Sequence, residues 1–258
     1  MFKAIALITL LASISAHSCD TQYNFQVGPF FTTTMNIQFW KAFTDEVEHL
    51  TQCKVQLVSS PDYESYIQKI IQYEHDIYLA PIDYGPSLVK RGYYPVLHSK
   101  EGISGLIISR IDITNNKANF NGTRFITPSP YTRIYMEAVD WLDTHGLTND
   151  VELTFSSSHD ASILALLNNK AETTAVIKSI YEKLPENLKA DFHTHEIVNI
   201  GGGLIVAHDL PKDIRAAILS ASGKIKLSKW VESHEIKSSR YSHRFETLFQ
   251  NQESYNKN

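Results

Sequence analysis

The sequence contains no long run of basic residues, and its formal net charge is -4 over 258 residues. A nucleic-acid partner is therefore not expected, because binding to phosphates requires clustered Lys and Arg. The chain also contains no Ser-His-Asp or Cys-His ordering with a recognisable nucleophile elbow. The triplet Gly201-Gly202-Gly203 has neither the spacing nor the following helix of a dinucleotide-binding motif. We accordingly predict no enzyme activity, no catalytic residue and no cofactor.

Cysteine is scarce, and its two occurrences, Cys19 and Cys53, leave two alternatives open. Residues 1–19 (MFKAIALITLLASISAHSC) have one Lys, an apolar run and then small residues, which is typical of a secretory signal peptide. The stretch Ala16-His17-Ser18-Cys19 resembles a bacterial lipobox, so we expect Cys19 to be lipidated and Cys53 to be the only other cysteine. In the alternative, cleavage after Ala16 releases a soluble protein in which Cys19 can pair with Cys53.

Long apolar runs are absent after this segment. No later stretch reaches the roughly 18 uninterrupted apolar residues that predict a membrane-spanning helix. Together with the predicted signal peptide, this places the protein in the periplasm or cell envelope, with a membrane attachment only through lipid on Cys19.

Runs with strand character alternate along the chain with apolar stripes at helical spacing. The strand-like runs are 23–27, 54–60, 75–80, 93–98, 105–109, 123–127, 151–155, 173–177, 196–200 and 203–207. The helical stripes lie between Phe39 and Leu50, after Asp62, between Ile134 and Leu142, after Ser158 and after Pro211. This alternation predicts an α/β fold with mostly parallel sheets, in which ligands bind beyond the carboxyl ends of the strands.

The stretch ITPSPYTRIYMEAV, residues 126–139, joins a predicted strand to a predicted helix that begins around Tyr131 or Thr132. The first backbone N–H groups of a helix have no intrahelical acceptor, and the helix dipole makes that end partly positive. Such an end either is capped by its own side chains or binds an anion. Both alternatives remain open from the residues alone.

Several motifs occur in an order that resembles the periplasmic phosphonate/phosphate-type substrate-binding proteins of ABC transporters. They are PDYESYI (61–67), DIYLAPIDY (76–84), NFNGTRFITPSPYT (119–132), SHDASILALLNNKAETTAV (158–176) and AHDLPKDIRAAI (207–218). The resemblance extends from about Phe25 to Ser222. It implies an α/β, two-lobed periplasmic-binding-protein fold, with two mixed sheets flanked by helices and a ligand cleft between the lobes.

In that fold, residues 22–107 plus 202–258 are expected to form lobe 1, and residues 108–201 to form lobe 2. The resemblance implies two chain crossings between the lobes, near residues 105–109 and 197–203. The glycines at 201–203 are a hinge in one interpretation and a tight bulge or turn in the other.

The resemblance also implies the ligand-binding residues. Tyr63, Tyr84 and His159 match positions that line the ligand in the family. At the start of the helix after residue 126, Ser129 matches the first residue of the family's Ser-Thr-Ser, whereas Pro130 and Tyr131 replace the other two. Thr132 is a further candidate, and Arg133 is expected to supply a bidentate clamp on an oxyanion. The expected ligand-binding residues are Tyr63, Tyr84, Ser129, Tyr131, Thr132, Arg133 and His159.

These residues predict a monomeric solute-binding protein that captures a small phosphonate- or phosphate-like oxyanion by hinge closure and serves an ABC transporter permease. The replacements at Pro130 and Tyr131 suggest a different organic anion as a variant of this prediction. An alternative role for the same fold is a periplasmic sensor subunit that feeds a membrane signalling partner.

A third hypothesis is a hydrolase or metal enzyme built around His159 or around His193 and His195. The latter two stand two residues apart, so their imidazoles would share one face of a strand, as in a metal pair. No third ligand follows at a recognised spacing, and we predict no metal site.

Overall fold

The computed structural model of the protein describes residues 19–112, 120–197, 202–226, 228–236 and 238–255. Its strands are β1 (Gln22–Val27), β2 (Lys54–Ser59), β3 (Ile77–Pro81), β4 (Tyr94–Ser99), β5 (Gly105–Ser109), β6 (Thr123–Pro128), β7 (Val151–Ser156), β8 (Thr173–Ile177), β9 (His193–Ile197), β10 (Gly203–Ala207) and β11 (Trp230–Glu232). Its helices are α1 (Thr33–Thr51), α2 (Tyr63–Ile71), α3 (Gly85–Lys90), α4 (Arg133–Thr144), α5 (His159–Leu167), α6 (Lys178–Tyr181), α7 (Glu186–Lys189), α8 (Lys212–Ala221) and α9 (Ser242–Tyr255).

The strands form two mixed sheets, as predicted. The first sheet has the order β11-β4-β10-β3-β1-β2, and the second has the order β7-β6-β8-β5-β9. In the first, β1 pairs in parallel with β2 and β3, whereas β10 runs antiparallel to β3 and β4. In the second, β6 pairs in parallel with β7 and β8, whereas β5 runs antiparallel to β8 and β9. The predicted α/β, two-lobed fold is confirmed.

The chain passes between the sheets twice, once between β4 and β5 and once between β9 and β10. All of β5 pairs within the second sheet, so that sheet begins at Gly105, whereas lobe 1 was expected to continue to residue 107. The second passage includes residues 198–201, so the prediction for Gly201 falls outside the described residues. At Gly202, an added Cβ would lie 2.1 Å from the hydroxyl oxygen of Ser99. Only glycine fits at this position, because the Ser99 side chain packs directly against the backbone.

Helices pack against both sheets, and five of them, α1, α2, α4, α5 and α8, match the predicted apolar stripes. Alternate residues of β3 contribute to two different cores, because side chains along a strand point to opposite faces. One core joins the first sheet to α1 and α8, and the other joins it to α2, α3 and α9. A third core joins the second sheet to α4 and α5. Burial on both faces explains the nearly continuous apolar runs of β3, β8 and β10.

Cys19 and Cys53 form a disulfide bond, with their Cα atoms 4.7 Å apart. This arrangement contradicts the expectation that Cys19 is lipidated, because one sulfur atom cannot carry both a thioether-linked lipid and a disulfide. It also means that Cys53 is not a free cysteine. The predicted signal peptide lies almost entirely in residues 1–18, outside the described part of the chain. Within the described ranges, no helix is long and apolar enough to cross a membrane.

Candidate functional site

A cavity of about 690 Å³ lies between the two sheets and has walls from both lobes. From lobe 1 it is lined by the loop after β1, the start of α2 and the end of β3. From lobe 2 it is lined by the starts of α4 and α5 and by the end of β8. These segments follow the carboxyl ends of strands, so the cavity lies where the predicted α/β fold places a ligand.

The lobes contact each other on two sides of this cavity. On one side, Asp83 of lobe 1 forms an ion pair with Arg133 of lobe 2, with 2.6 Å between Oδ1 and Nη1. Beside it, the Tyr84 hydroxyl donates a hydrogen bond to the backbone carbonyl of Tyr131. On the other side, the Lys183 ammonium lies 5.4 Å from the ring centroid of Phe39 and 6.0 Å from that of Phe31. The cavity therefore lies between lobes that are already in contact.

The start of α4 forms part of the lobe 2 wall. Thr132 is the N-cap, and its side-chain oxygen accepts a hydrogen bond from the backbone N–H of Tyr135 at 3.2 Å. Thr132, Arg133 and Ile134 all line the cavity. The N–H groups of Arg133 and Ile134 belong to the first helical turn and have no intrahelical acceptor. The helix is thus capped by its own side chain, and its first-turn N–H groups, which have no intrahelical acceptor, lie beside the cavity.

The Arg133 guanidinium is occupied by protein carboxylates. Besides the Asp83 ion pair, its Nε donates to Oε1 of Glu137 at 2.9 Å, and its carbon lies 4.2 Å from the ring centroid of Tyr241. Both edges of the guanidinium are therefore in use. In this structure the guanidinium links the lobes through Asp83, and the expectation that Arg133 clamps an oxyanion stays a prediction.

Ser129, Tyr131 and Tyr84 do not line the cavity. Ser129 stabilises the turn before α4, because its carbonyl accepts from the Thr132 hydroxyl and its own hydroxyl accepts from the Tyr131 N–H. The Tyr131 hydroxyl donates to Oε1 of Gln252 on α9 at 3.0 Å. Tyr84 is fully buried against Phe245 and Phe249. These three predicted ligand contacts are structural contacts in this arrangement.

Tyr63 lines the opposite wall, at the first residue of α2. Asp62 caps this helix, because its carboxylate accepts from the Ser65 N–H at 2.7 Å. The Tyr63 ring is 1% exposed, and its hydroxyl has no hydrogen-bond partner within the described part of the chain. Burial raises the pKa of Tyr63, so the hydroxyl stays protonated and can donate.

His159 lines the lobe 2 wall at the first residue of α5, after the N-cap Ser158. The Ile177 backbone N–H points to Nδ1 at 3.4 Å, which assigns the imidazole proton to Nε2. Burial lowers the pKa of His159 to about 3, so the ring is neutral at neutral pH. A neutral imidazole with its proton on Nε2 supplies one hydrogen-bond donor to a ligand.

The buried neutral His159 predicts a specific loss of stability in acid. In the unfolded chain, His159 takes up a proton near pH 6.5, whereas in the folded protein it does so only near pH 3. The stabilisation is therefore complete above pH 6.5, and it falls by about 1.4 kcal/mol per pH unit as the pH drops toward 3. We expect the unfolding free energy of wild type, relative to that of His159→Gln, to fall by about 2 kcal/mol between pH 6.5 and pH 5.

Urea unfolding at several pH values measures this difference. His243→Gln, on the exposed surface of α9, is the matched control and should track wild type at every pH. Parallel pH profiles for wild type and His159→Gln would show that the imidazole is not held in its neutral form.

Several cavity residues were missing from the sequence-based prediction. They are aromatic or apolar side chains of Phe30, Phe31, Trp40, Ile103 and Trp230. Phe30 and Phe31 follow β1 without a recognisable motif, and Trp230 belongs to β11, a strand that we did not predict. Trp40 lies on the apolar face of α1, where its spacing is that of a core residue.

The described residues contain no cluster of three or more His, Cys, Asp or Glu side chains that could hold a metal ion. His193 and His195 lie on β9, and the His195 ring packs near Trp141 and His145 on the outside of lobe 2. This pair is separate from the residues that line the cavity.

Comparisons with known proteins agree with the fold described above. The structure is similar to that of PhnD1 from Prochlorococcus marinus in complex with methylphosphonate, with a TM-score of 0.70, 13% identity, and coverage of 89% of this chain and 97% of that one. It is also similar to a binding protein component of an ABC phosphonate transporter from Pseudomonas aeruginosa, with a TM-score of 0.64, 16% identity, and coverage of 91% and 88%.

A third similar structure is the alkanesulfonate-binding protein SsuA from Xanthomonas axonopodis pv. citri bound to MOPS, with a TM-score of 0.55, 11% identity, and coverage of 80% and 74%. At these identities the structural similarities support the fold alone. A search of curated protein sequences finds no significant match. The family model for the phosphonate ABC transporter periplasmic substrate-binding protein matches residues 25–242. The chain therefore belongs to the family of periplasmic substrate-binding proteins of phosphonate ABC transporters.

Proposed function

We propose that the protein captures a small phosphonate- or phosphate-like oxyanion in the cavity between its lobes and, as a monomer, delivers it to the permease of an ABC transporter. The observation that carries this proposal is the arrangement of donors on facing walls: Tyr63 on one, and His159 with the first turn of α4 on the other. A neutral imidazole N–H, a tyrosine hydroxyl and the first N–H groups of a helix are donors of the kind that bind the oxygens of an anion. The family description names a transporter component, which favours transport over the sensor role.

The mechanism of capture is closure of the two lobes around the ligand. A ligand that contacts both walls binds the closed form more tightly than the open one, and it therefore shifts the population toward closure. The role involves binding and release without a chemical step, consistent with a family of binding proteins. The family operates at the periplasmic face of the membrane, and the disulfide-bonded Cys19 favours a protein that is released there rather than lipid-anchored.

Calorimetric titration with methylphosphonate and inorganic phosphate tests the proposal. Tyr63→Phe removes only the unpartnered hydroxyl, so we expect the affinity for the anion to fall by about 1–3 kcal/mol, or roughly 5- to 150-fold. Tyr93→Phe is the matched control, because it also removes one buried tyrosine hydroxyl, but one that bonds within lobe 1 and lies outside the cavity. Equal affinities for Tyr63→Phe and wild type, or a loss in Tyr93→Phe instead, would contradict the assignment of the site.

A further inference from the structure

Phe30 and Phe31 are neighbours in the loop after β1, and their side chains pack against different lobes. Phe30 packs on the core of the first sheet and lies edge to face with Tyr63, with ring centroids 6.0 Å apart. Phe31 packs on the core of the second sheet, which belongs to lobe 2. Both side chains are half-buried and line the cavity. A side chain of lobe 1 therefore reaches the hydrophobic core of lobe 2 beside the ligand cavity.

Lys183 of lobe 2 completes this contact. Phe31 lies edge to face with Phe39 of α1, with ring centroids 5.1 Å apart. The Lys183 ammonium lies 6.0 Å from the centroid of Phe31 and 5.4 Å from that of Phe39. A cation at about this distance is attracted to the face of an aromatic ring. Phe31 is thus held by Phe39 of its own lobe and by Lys183 and the apolar core of the other.

The loop that carries Phe31 has a fixed backbone. Asn36 is 1% exposed, and its side-chain amide donates to the carbonyls of Gly28 at 3.4 Å and Phe31 at 3.3 Å. The next residue, Thr32, is the N-cap of α1. Because the loop is fixed to α1 of lobe 1, Phe31 moves with lobe 1 and loses its contacts with lobe 2 when the lobes separate.

The lobes are not packed continuously on this side of the ligand cavity. A second cavity, of about 240 Å³, separates Thr32 and Met35 of lobe 1 from α5, α6 and Lys183 of lobe 2. Side chains that face such a gap have no partner atoms across it and gain no dispersion energy there. The contact at Phe31 therefore carries a large share of the attraction between the lobes on this side.

We propose that Phe31 couples ligand binding to lobe closure, and that its contact with Lys183 sets how long the ligand stays bound. One part of the ring faces the ligand cavity, and another part contacts lobe 2. A ligand packed against Phe31 therefore favours the same ring position as lobe 2 does, so Phe31 is a positioning residue for closure. Lys183 is not among the described residues that line the ligand cavity, and it acts through the two rings. This inference rests on the proposed function, because it assigns the closing contact of the same cavity.

Stopped-flow measurement of methylphosphonate binding, followed by tryptophan fluorescence, tests it. We expect Phe31→Ala to raise the dissociation rate at least about tenfold, because it removes aromatic surface buried between the lobes. Lys183→Met should raise it about two- to fivefold, the equivalent of one exposed cation–π contact. Association rates should stay within about twofold of wild type, because the ligand enters the open form, in which this contact is absent. Lys183→Arg, which keeps a cation over the rings, should restore the wild-type dissociation rate.

Lys189→Met is the matched control. Its ammonium also lies over an aromatic ring, 5.7 Å from the centroid of Tyr181, but both residues belong to lobe 2. Both rates should therefore match those of wild type. Wild-type dissociation rates in Phe31→Ala and Lys183→Met, or an equal rise in Lys189→Met, would overturn the inference and leave the proposed function standing. Lys183 is exposed, so its variants retain the fold even where Phe31→Ala does not.

Small-angle scattering of the ligand-free proteins provides a test that needs no ligand. The radius of gyration should be larger in Phe31→Ala and Lys183→Met than in wild type, because both variants weaken the closed arrangement, and it should be unchanged in Lys189→Met. Equal radii in all four proteins would overturn the closing role of Phe31. Failure of wild type to bind methylphosphonate or phosphate would overturn the proposed function, and the scattering result would still decide the role of Phe31 in closure.

Discussion

Replacement of Arg133 by methionine is expected to lower the unfolding free energy by about 3–5 kcal/mol, since removing one member of a buried ion pair leaves a desolvated charge behind. Asp83 is 2% exposed and Glu137 10% exposed, and both carboxylates contact this guanidinium. Methionine keeps most of the apolar volume of the arginine side chain, so the loss reports on charge rather than packing. Chemical denaturation at constant pH measures the change.

Arg240→Met is the matched control for this prediction. Arg240 contacts the same carboxylate of Glu137, but its side chain is 61% exposed. An exposed ion pair contributes about 0–1 kcal/mol, so this variant should remain close to wild type. Similar losses in the two variants would contradict the assignment of Arg133 as the buried link between the lobes.

Reduction of the Cys19–Cys53 disulfide is expected to lower the unfolding free energy by about 3–4 kcal/mol, because the bond closes a loop in the unfolded chain. The two cysteines are separated by 34 residues, and the bond ties the segment before β1 to the start of β2. Unfolding with and without a reductant measures this effect. The double variant Cys19→Ala/Cys53→Ala should unfold identically under the two conditions.

Unfolding with and without a reductant, together with intact mass spectrometry, distinguishes a lipidated Cys19 from a disulfide-bonded Cys19. A lipidated Cys19 would make the wild-type unfolding free energy insensitive to reductant and would add the mass of a diacylglyceryl group. The disulfide instead predicts that reduction adds only the mass of two hydrogen atoms, as intact mass spectrometry can detect. A protein exported to an oxidising compartment can form and keep such a bond.

Much of the fold could be predicted from the residues because its signals are local. The apolar runs of β3, β8 and β10 and the helical stripes of α1 and α4 are readable without tertiary information. The caps Asp62 and Ser158 are also local, since each side chain bonds an N–H within its own first turn. These features predict the order of strands and helices along the chain, whereas the cleft between two lobes was implied by the family resemblance.

The helix α9 could not be predicted in this way. Its segment is polar and has few apolar residues, and it is helical because Phe245 and Phe249 are buried against Tyr84 of lobe 1. The role of Arg133 was missed for a related reason, because its carboxylate partner Asp83 lies 50 residues away in the sequence. Interactions that join distant segments leave no spacing in the sequence to detect.

The candidate site was only partly predictable. Tyr63, Thr132 and His159 occupy helix starts that follow strands, and the strand order places them around the cleft. Trp230 gave no such signal, because the strand β11 has three residues and no alternating pattern long enough to read. The place of Trp230 beside the cavity therefore emerges only from the pairing of β11 with β4 and the packing of Trp230 on Trp40.

The measurement that tests the central claim most directly is thermal denaturation of the purified protein with phosphate, methylphosphonate, phenylphosphonate, sulfate and a carboxylate such as acetate. A ligand present at 100 times its dissociation constant stabilises the folded protein by about 2.7 kcal/mol, which raises the melting temperature by several degrees. We predict such a rise with at least one phosphonate and no rise with acetate. No change with any phosphonate or with phosphate would contradict an oxyanion site in this cavity.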